Sequence, residues 1–317
     1  MRKFNLKRIV SILGSVLTVA ALFFLFHRFN QLRGEIDLEV FSSPTTVLFL
    51  IVIAIVIGLG IITEGLNYRA LIKDFSGVSF NRARAILIFT YANLYKYIPP
   101  GGIMYAAGRN RLAVENKELS HAKVLLATAT EAVISFLAAL TVISVLVFEY
   151  ALTLIRTTDI FNATLIFVTI TSLVLLIALL CFIFRKRLTE LYNNLVSGPH
   201  KIKFFNILKR YGVMLVLVTA LSFSFTGVMF VIGQEMTLNL AVTISGLFML
   251  SWLIGFLTPG APSGLGVREL VILMFIGGLV SEMTLLTAMV VHRLLAILGD
   301  LIAHGIALTY ARVARSE

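Results

Sequence analysis

The chain has 317 residues, of which 59% are hydrophobic and 14% charged, with a net charge of +11 and a mean hydropathy of +0.97. A water-soluble domain of this length does not sustain such apolar content, so the sequence reads as an all-α polytopic membrane protein. Its Lys and Arg fall in short loops between apolar runs, where they set topology and meet anionic headgroups rather than nucleic acid. The single cysteine, Cys181, leaves no disulfide framework, and the sequence carries no zinc motif, P-loop or nucleophile elbow. Neither an enzyme nor a cofactor is expected.

Apolar runs long enough to cross a bilayer occur at 9–26, 45–62, 124–148, 163–184, 211–232 and 284–310. The first follows Arg2, Lys3, Lys7 and Arg8, which place the amino terminus in the cytoplasm and make this run an uncleaved anchor. The next loop, GEIDLEV, is acidic and goes outside. Arg69, Lys73, Arg82 and Arg84 return the chain to the cytoplasm, as do Lys186, Arg187, Lys201, Lys203 and Lys209 after the fourth run. Arg312 and Arg315 place the carboxy terminus there too.

Two further apolar segments are broken by Pro and Gly. The first, LYKYIPPGGIMYAAGR, contains Pro100, Gly101 and Gly102 and ends at Arg109. The second, LIGFLTPGAPSGLGVRE, contains Pro259, Gly260, Pro262, Gly264 and Gly266 and ends at Arg268 and Glu269. Aligned on the two arginines, Pro100 falls on Pro259 and Gly101 on Gly260, an offset of 159 residues. Such breaks delete backbone hydrogen bonds that lipid cannot replace, so they survive at membrane depth where the backbone is buried in protein or lines a wet cavity. The first break has basic residues on both flanks and is expected to dip in from the cytoplasm and return. The second lies between the weakly charged loops GQEM and SEMT and is expected to dip in from outside. The whole chain, 1–317, then forms one integral domain of two inverted-topology repeats, about 1–150 and 160–311, each with a re-entrant hairpin, and the substrate site falls between them.

At these two motifs the chain resembles the transmembrane domain of lysylphosphatidylglycerol synthases and the stand-alone flippase-like proteins similar to it. The segment from Pro259 to Glu269 is similar to the family's Pro-Gly-rich P-G-G-L-G-x-x-E stretch, with Glu269 on its acidic position. The first break followed by Arg109 is similar to the family's first Pro-Gly break, but lacks the Gly-Glu pair that many members carry there. Glu131 falls where the family commonly has a Glu. The sequence ends about seven residues past its last expected span, with no room for the aminoacyltransferase domain of fused members. The resemblance therefore implies the translocation half: movement of a lipid with a phosphate-containing headgroup between leaflets of the cell membrane. Its expected partners are anionic phospholipids or polyprenyl-phosphate lipids. A carrier of polyprenyl-phosphate sugars, or a non-transporting partner of a membrane glycosyltransferase or lipid synthase, stands beside that reading; Gly58 and Gly60 offer a small-residue face for internal packing or for a homo-oligomer.

Charged side chains inside spans cost a few kcal/mol each and are candidates for function. Glu131, Arg293 and Asp300 qualify. Asp300 lies seven residues beyond Arg293, on the same face. Arg293 is expected either to pair with Asp300 or Glu131 structurally, or to meet a lipid phosphate. Arg109 and Arg268, at the ends of the hairpins, offer donor forks that match phosphate oxygens, supplemented by free backbone N–H groups near Gly101, Gly102, Gly264 and Gly266; the alternative for each is an interfacial snorkelling residue. His292 reads as an interhelical hydrogen-bonder, Tyr95, Tyr97, Tyr105 and Trp252 as packing or interface anchors, and Glu64 and Arg69 as topology residues.

Overall fold

A computed structural model describes residues 39–79, 81–97, 102–115, 119–157, 204–258 and 262–316. Among them every regular element is helical: α1 (Pro44–Ser76), α2 (Arg82–Leu94), α3 (Gly102–Glu115), α4 (His121–Leu146), α5 (Phe148–Thr157), α6 (Phe204–Val231), α7 (Leu238–Leu257), α8 (Val267–Ile276) and α9 (Glu282–Ser316). Five of them, α1, α4, α6, α7 and α9, are long and apolar enough to cross a membrane. Four correspond to the expected runs at 45–62, 124–148, 211–232 and 284–310. The expected runs at 9–26 and 163–184 lie outside the described residues.

The fifth, α7, is the first arm of the second break and adds to the expected set of crossing-length helices. Its 20 residues reach about 30 Å at 1.5 Å per residue, the thickness of the hydrocarbon core. The first arm of this break is therefore long enough to cross, whereas α8, with 10 residues, reaches only about 15 Å. At the first break both arms are short, 13 residues in α2 and 14 in α3.

Local chemistry sets these lengths. Helix α1 opens with Pro44 in its first turn, where a missing N–H costs nothing, and closes where Gly77 takes a left-handed φ of 73° and donates to the Lys73 carbonyl. Its 33 residues outrun its apolar stretch and carry Glu64 into the bundle. Helix α2 starts on Asn81, whose side chain accepts from the Ala83 N–H at 2.7 Å. It tightens into a 3₁₀ turn at Tyr95–Tyr97, just ahead of Pro99 and Pro100. After the second break a matching 3₁₀ turn, Pro262–Gly264, precedes α8. There Gly264 has φ +69°, and a Cβ on it would meet the Gly255 backbone of α7 at 3.0 Å, so the returning chain lies directly on the helix it left.

The two 3₁₀ turns pack against each other, which brings the breaks together. Helix α9 runs behind both, against α1, α2 and α6. Its crossing with α1 is close because two glycines meet: a Cβ on Gly299 would lie 2.7 Å from Ile57 Cγ2, and one on Gly58 would lie 3.0 Å from the Gly299 carbonyl. Gly58 thus serves packing within the chain, and Gly60 faces Leu217 of α6. One apolar core gathers Tyr68, Leu71, Phe89, Val124 and Met214, and a second gathers Phe225, Phe248, Ile272, Leu285 and Met289. The exposed residues of α1, including Leu48, Phe49, Val52 and Leu59, are large and apolar, which suits lipid rather than water.

Gly299→Val should lower thermal stability in detergent by about 1–3 kcal/mol through overpacking. Gly60→Ala, whose Cβ has open space to 3.9 Å, should leave the unfolding midpoint unchanged or slightly raised.

Candidate functional site

At the second break the sequence R-E, Arg268 and Glu269, opens α8. Glu269 sits one turn in, and its Oε2 accepts the Gly266 N–H at 2.7 Å, satisfying one of the open donors at the helix start. That backbone group, expected to be free for a ligand, is therefore occupied. The other carboxylate oxygen of Glu269 pairs with Nη1 of Arg293 on α9. Arg268 is left without an ion pair among the described residues. Its Nη2 lies 3.2 Å from His292 Nδ1, its guanidinium stacks over Phe248 at 4.4 Å, and its Nε is buried with no hydrogen-bond partner.

The hydrogen-bond chain fixes the state of that histidine. Ser224 donates to the Leu221 carbonyl at 2.7 Å, so toward His292 Nε2, at 2.8 Å, it accepts. His292 thus carries its proton on Nε2, and Nδ1 presents a lone pair to Arg268. The ring is wedged edge-on against Phe225 and Phe248, at 5.6 and 4.9 Å between centroids. His292 is the interhelical hydrogen-bonder its sequence position suggests, and as a neutral partner it adds no charge to balance Arg268, whose nearest electrostatic compensation comes from Glu269.

Asp300, two turns along α9, binds the other break. Its carboxylate accepts from Asn93 Nδ2 at 2.6 Å, from the Tyr97 hydroxyl and from Lys96 Nζ at 2.8 Å. Tyr97 in turn lies within electrostatic range of Arg268 and Arg293, so residues of both breaks share one polar region around α9. The expected pairing of Arg293 with Asp300 or Glu131 does not occur. Seven residues put Asp300 on the same face as Arg293 but about 10 Å away along the axis, and each meets a different break there.

Glu131 pairs instead with Arg109. Both guanidinium Nη groups of Arg109 reach its carboxylate, and the rings of Tyr68, Phe89 and Tyr105 surround the guanidinium at 4.4, 4.5 and 3.9 Å. Arg109 is 0% exposed. An interfacial, snorkelling residue is thereby corrected to a buried one: aromatic faces and a forked carboxylate replace the water that the interface would have supplied. Glu64 of α1, expected to mark topology, lies against Glu131 and within electrostatic range of Arg109 and Lys96.

The sequence-level candidates therefore separate into two groups. Arg268, Glu269, Arg293 and Asp300 gather around α9, whereas Arg109 and Glu131 form a closed pair beside α1. Gly264 and Gly266 hold the second turn, both with positive φ, Pro262 begins that turn, and Gly102 begins α3. Pro100, Gly101, Pro259 and Gly260 lie outside the described residues. Sequence reading missed Asn93, Lys96 and Ser224, and it gave Glu64 a topology role and Tyr97 an anchoring one. A usable signal existed for Lys96, a lone cation in an apolar segment that ends at a Pro-Gly break. None existed for Ser224, one hydroxyl among many in apolar helices. Neither a family model nor a curated protein matches the chain.

Arg109→Ala should leave the Glu131 carboxylate buried without its partner and reduce stability by about 3–5 kcal/mol. Combining it with Glu131→Gln should recover a substantial part of that loss. Thermal unfolding of the purified variants in detergent checks both.

Proposed function

We propose that the protein moves a lipid with a phosphate-containing headgroup between leaflets of the cell membrane, with both termini in the cytoplasm. The observation that carries this reading is Arg268. A half-buried guanidinium whose Nε is buried and unpartnered, with a neutral histidine as its hydrogen-bonded neighbour, is left with donors that a phosphate could accept. Arg293 lies close enough to Arg268 for the two charges to be felt together at Tyr97, so two donor forks are available to one anion. The contact between the two 3₁₀ turns supports a polar path at the breaks, with the acyl chains remaining in lipid. In this reading the two halves are inverted repeats about the 159-residue offset, each break is the re-entrant element of its half, and the resemblance to lysylphosphatidylglycerol synthase membrane domains reflects a shared task.

The test is reconstitution into liposomes with headgroup-labelled phospholipids and, in parallel, a labelled polyprenyl-phosphate lipid. The wild-type protein should move one of them. Arg268→Lys keeps the charge but loses the fork, and should cut the rate by at least about tenfold at normal folded yield. Arg293→Ala should reduce folded protein by stranding Glu269, and adding Glu269→Gln should restore folding without restoring movement. Co-purification of a glycosyltransferase or lipid synthase with no movement of any probe would favour a non-transporting partner, and full movement by Arg268→Ala would end the phosphate role of this residue.

A further inference from the structure

Away from the Arg268 region, a cavity of about 270 Å³ opens between α2, α3 and α9. Leu87 and Ile88 of α2 and Leu308 of α9 make its apolar wall, and Tyr91 of α2 and His304 of α9 add polar edges. Arg84 and Arg111 also reach the lining, but each already has an interaction partner, and Arg111 stands over the Tyr91 ring at 5.2 Å. Tyr91 and His304 remain, and both are neutral hydrogen-bonding groups. Tyr95 donates its hydroxyl to Tyr91 at 2.8 Å, so the proton of Tyr91 itself is open to an acceptor. Thr90 donates to the Leu87 carbonyl at 3.1 Å and so accepts from His304 Nδ1, also at 3.1 Å. With its proton on Nδ1, neutral His304 presents a lone pair on Nε2. The Tyr91 and His304 rings stand 6.0 Å apart between centroids, so one donor and one acceptor open on the same space.

We infer that this cavity binds a neutral lipid alcohol, a free hydroxyl carried on an apolar body, drawn from the adjoining leaflet. A hydroxyl accepts one hydrogen bond and donates another through the same atom, so it takes the Tyr91 proton and gives its own to His304 Nε2. An ester or ketone carbonyl satisfies Tyr91 alone, and an ammonium satisfies His304 alone. A purely apolar molecule leaves both groups unpaired. Water shares the hydrogen-bonding capacity of a hydroxyl, and two observations favour the lipid. The cavity is many times larger than one water, and each further water needs two to four polar partners, which Leu87, Ile88 and Leu308 do not supply. Beside it Ile306, Leu308 and Tyr310 of α9 present exposed apolar surface along which the rest of a lipid can lie. The inference does not depend on lipid translocation or on Arg268, since it concerns occupancy of this cavity alone.

The experiment is native mass spectrometry of the full-length protein released from phosphatidylcholine nanodiscs that carry either dioleoylglycerol or its O-methyl ether, which keeps the oxygen acceptor and loses the hydroxyl proton. The wild type should retain the alcohol about fivefold more strongly than the ether, the fold-change that one hydrogen bond of about 1 kcal/mol gives. Tyr91→Phe should weaken both ligands about fivefold. His304→Phe should weaken the alcohol about fivefold and leave the ether nearly unchanged, because the ether has no proton to give it. That contrast separates contact with the ligand from damage to the fold, and the wild-type comparison stands even where a variant fails to fold. Equal retention of alcohol and ether by the wild type, equal weakening of both by His304→Phe, or displacement of dioleoylglycerol by millimolar glycerol would overturn the assignment.

Discussion

Asp300 is the anion on which the arrangement of the two breaks depends. Set in the long helix α9, it takes Asn93, Lys96 and Tyr97 from the end of the first break's leading arm. Two turns earlier Arg293 takes Glu269 from the second. A Pro-Gly break costs a helix its continuous hydrogen-bond ladder and leaves short arms, among them α2 and α8, that apolar packing alone would hold weakly. Ion pairs to a helix that is itself locked to α1 by the Gly58 and Gly299 crossing supply the missing anchorage. The interior makes these pairs obligatory: a charge that cannot reach water is tolerated only when paired and hydrogen-bonded.

That constraint is satisfied differently in the two halves, although the arginines occupy matching positions. Arg109, although its Nε is also unpartnered, is forked onto Glu131 and enclosed by three rings. Arg268 has one aromatic face and a neutral imidazole. The difference follows from the neighbouring residue. Glu269, directly after Arg268, is drawn away by Arg293 and by the helix start, whereas the asparagine after Arg109 leaves Glu131 uncontested. Equivalent sequence positions thus carry unlike electrostatics, a directly paired cation on one side and, among the described residues, a cation with no direct ion pair on the other.

Much of the architecture was legible because its causes are local. Apolar runs gave four of the crossing-length helices, and the Pro-Gly dipeptides located both breaks. The length of α7 was not legible, since its apolar residues merge with those of the break and hydropathy does not show where a helix stops. Glu64 was assigned to a helix end because the apolar run stops beside it, yet α1 continues to Ser76, and only the fold shows that this stretch faces α4. Among the candidate site residues, charge within a span singled out Glu131, Arg293 and Asp300, each of which makes an ion pair in the fold. Their partners were misassigned because spacing along one helix reports a shared face and says nothing of which neighbouring element arrives at each turn.

Glu269 has a double duty at the second break. One carboxylate oxygen closes the open N–H of Gly266 at the start of α8, and the other holds Arg293. Under the proposed reading, a phosphate reaching Arg293 competes with Glu269 for the same donor fork. The helix start itself favours negative charge, through its free N–H groups and the positive end of the helix dipole. A Glu269 displaced from Arg293 can remain on Gly266, and the phosphate then gains Arg293 without stripping the cap from α8. What is given up is the tie between α8 and α9. Headgroup binding and loosening of the break against its anchoring helix therefore become one event, with the Asp300 contacts keeping the first break in place while the second is released.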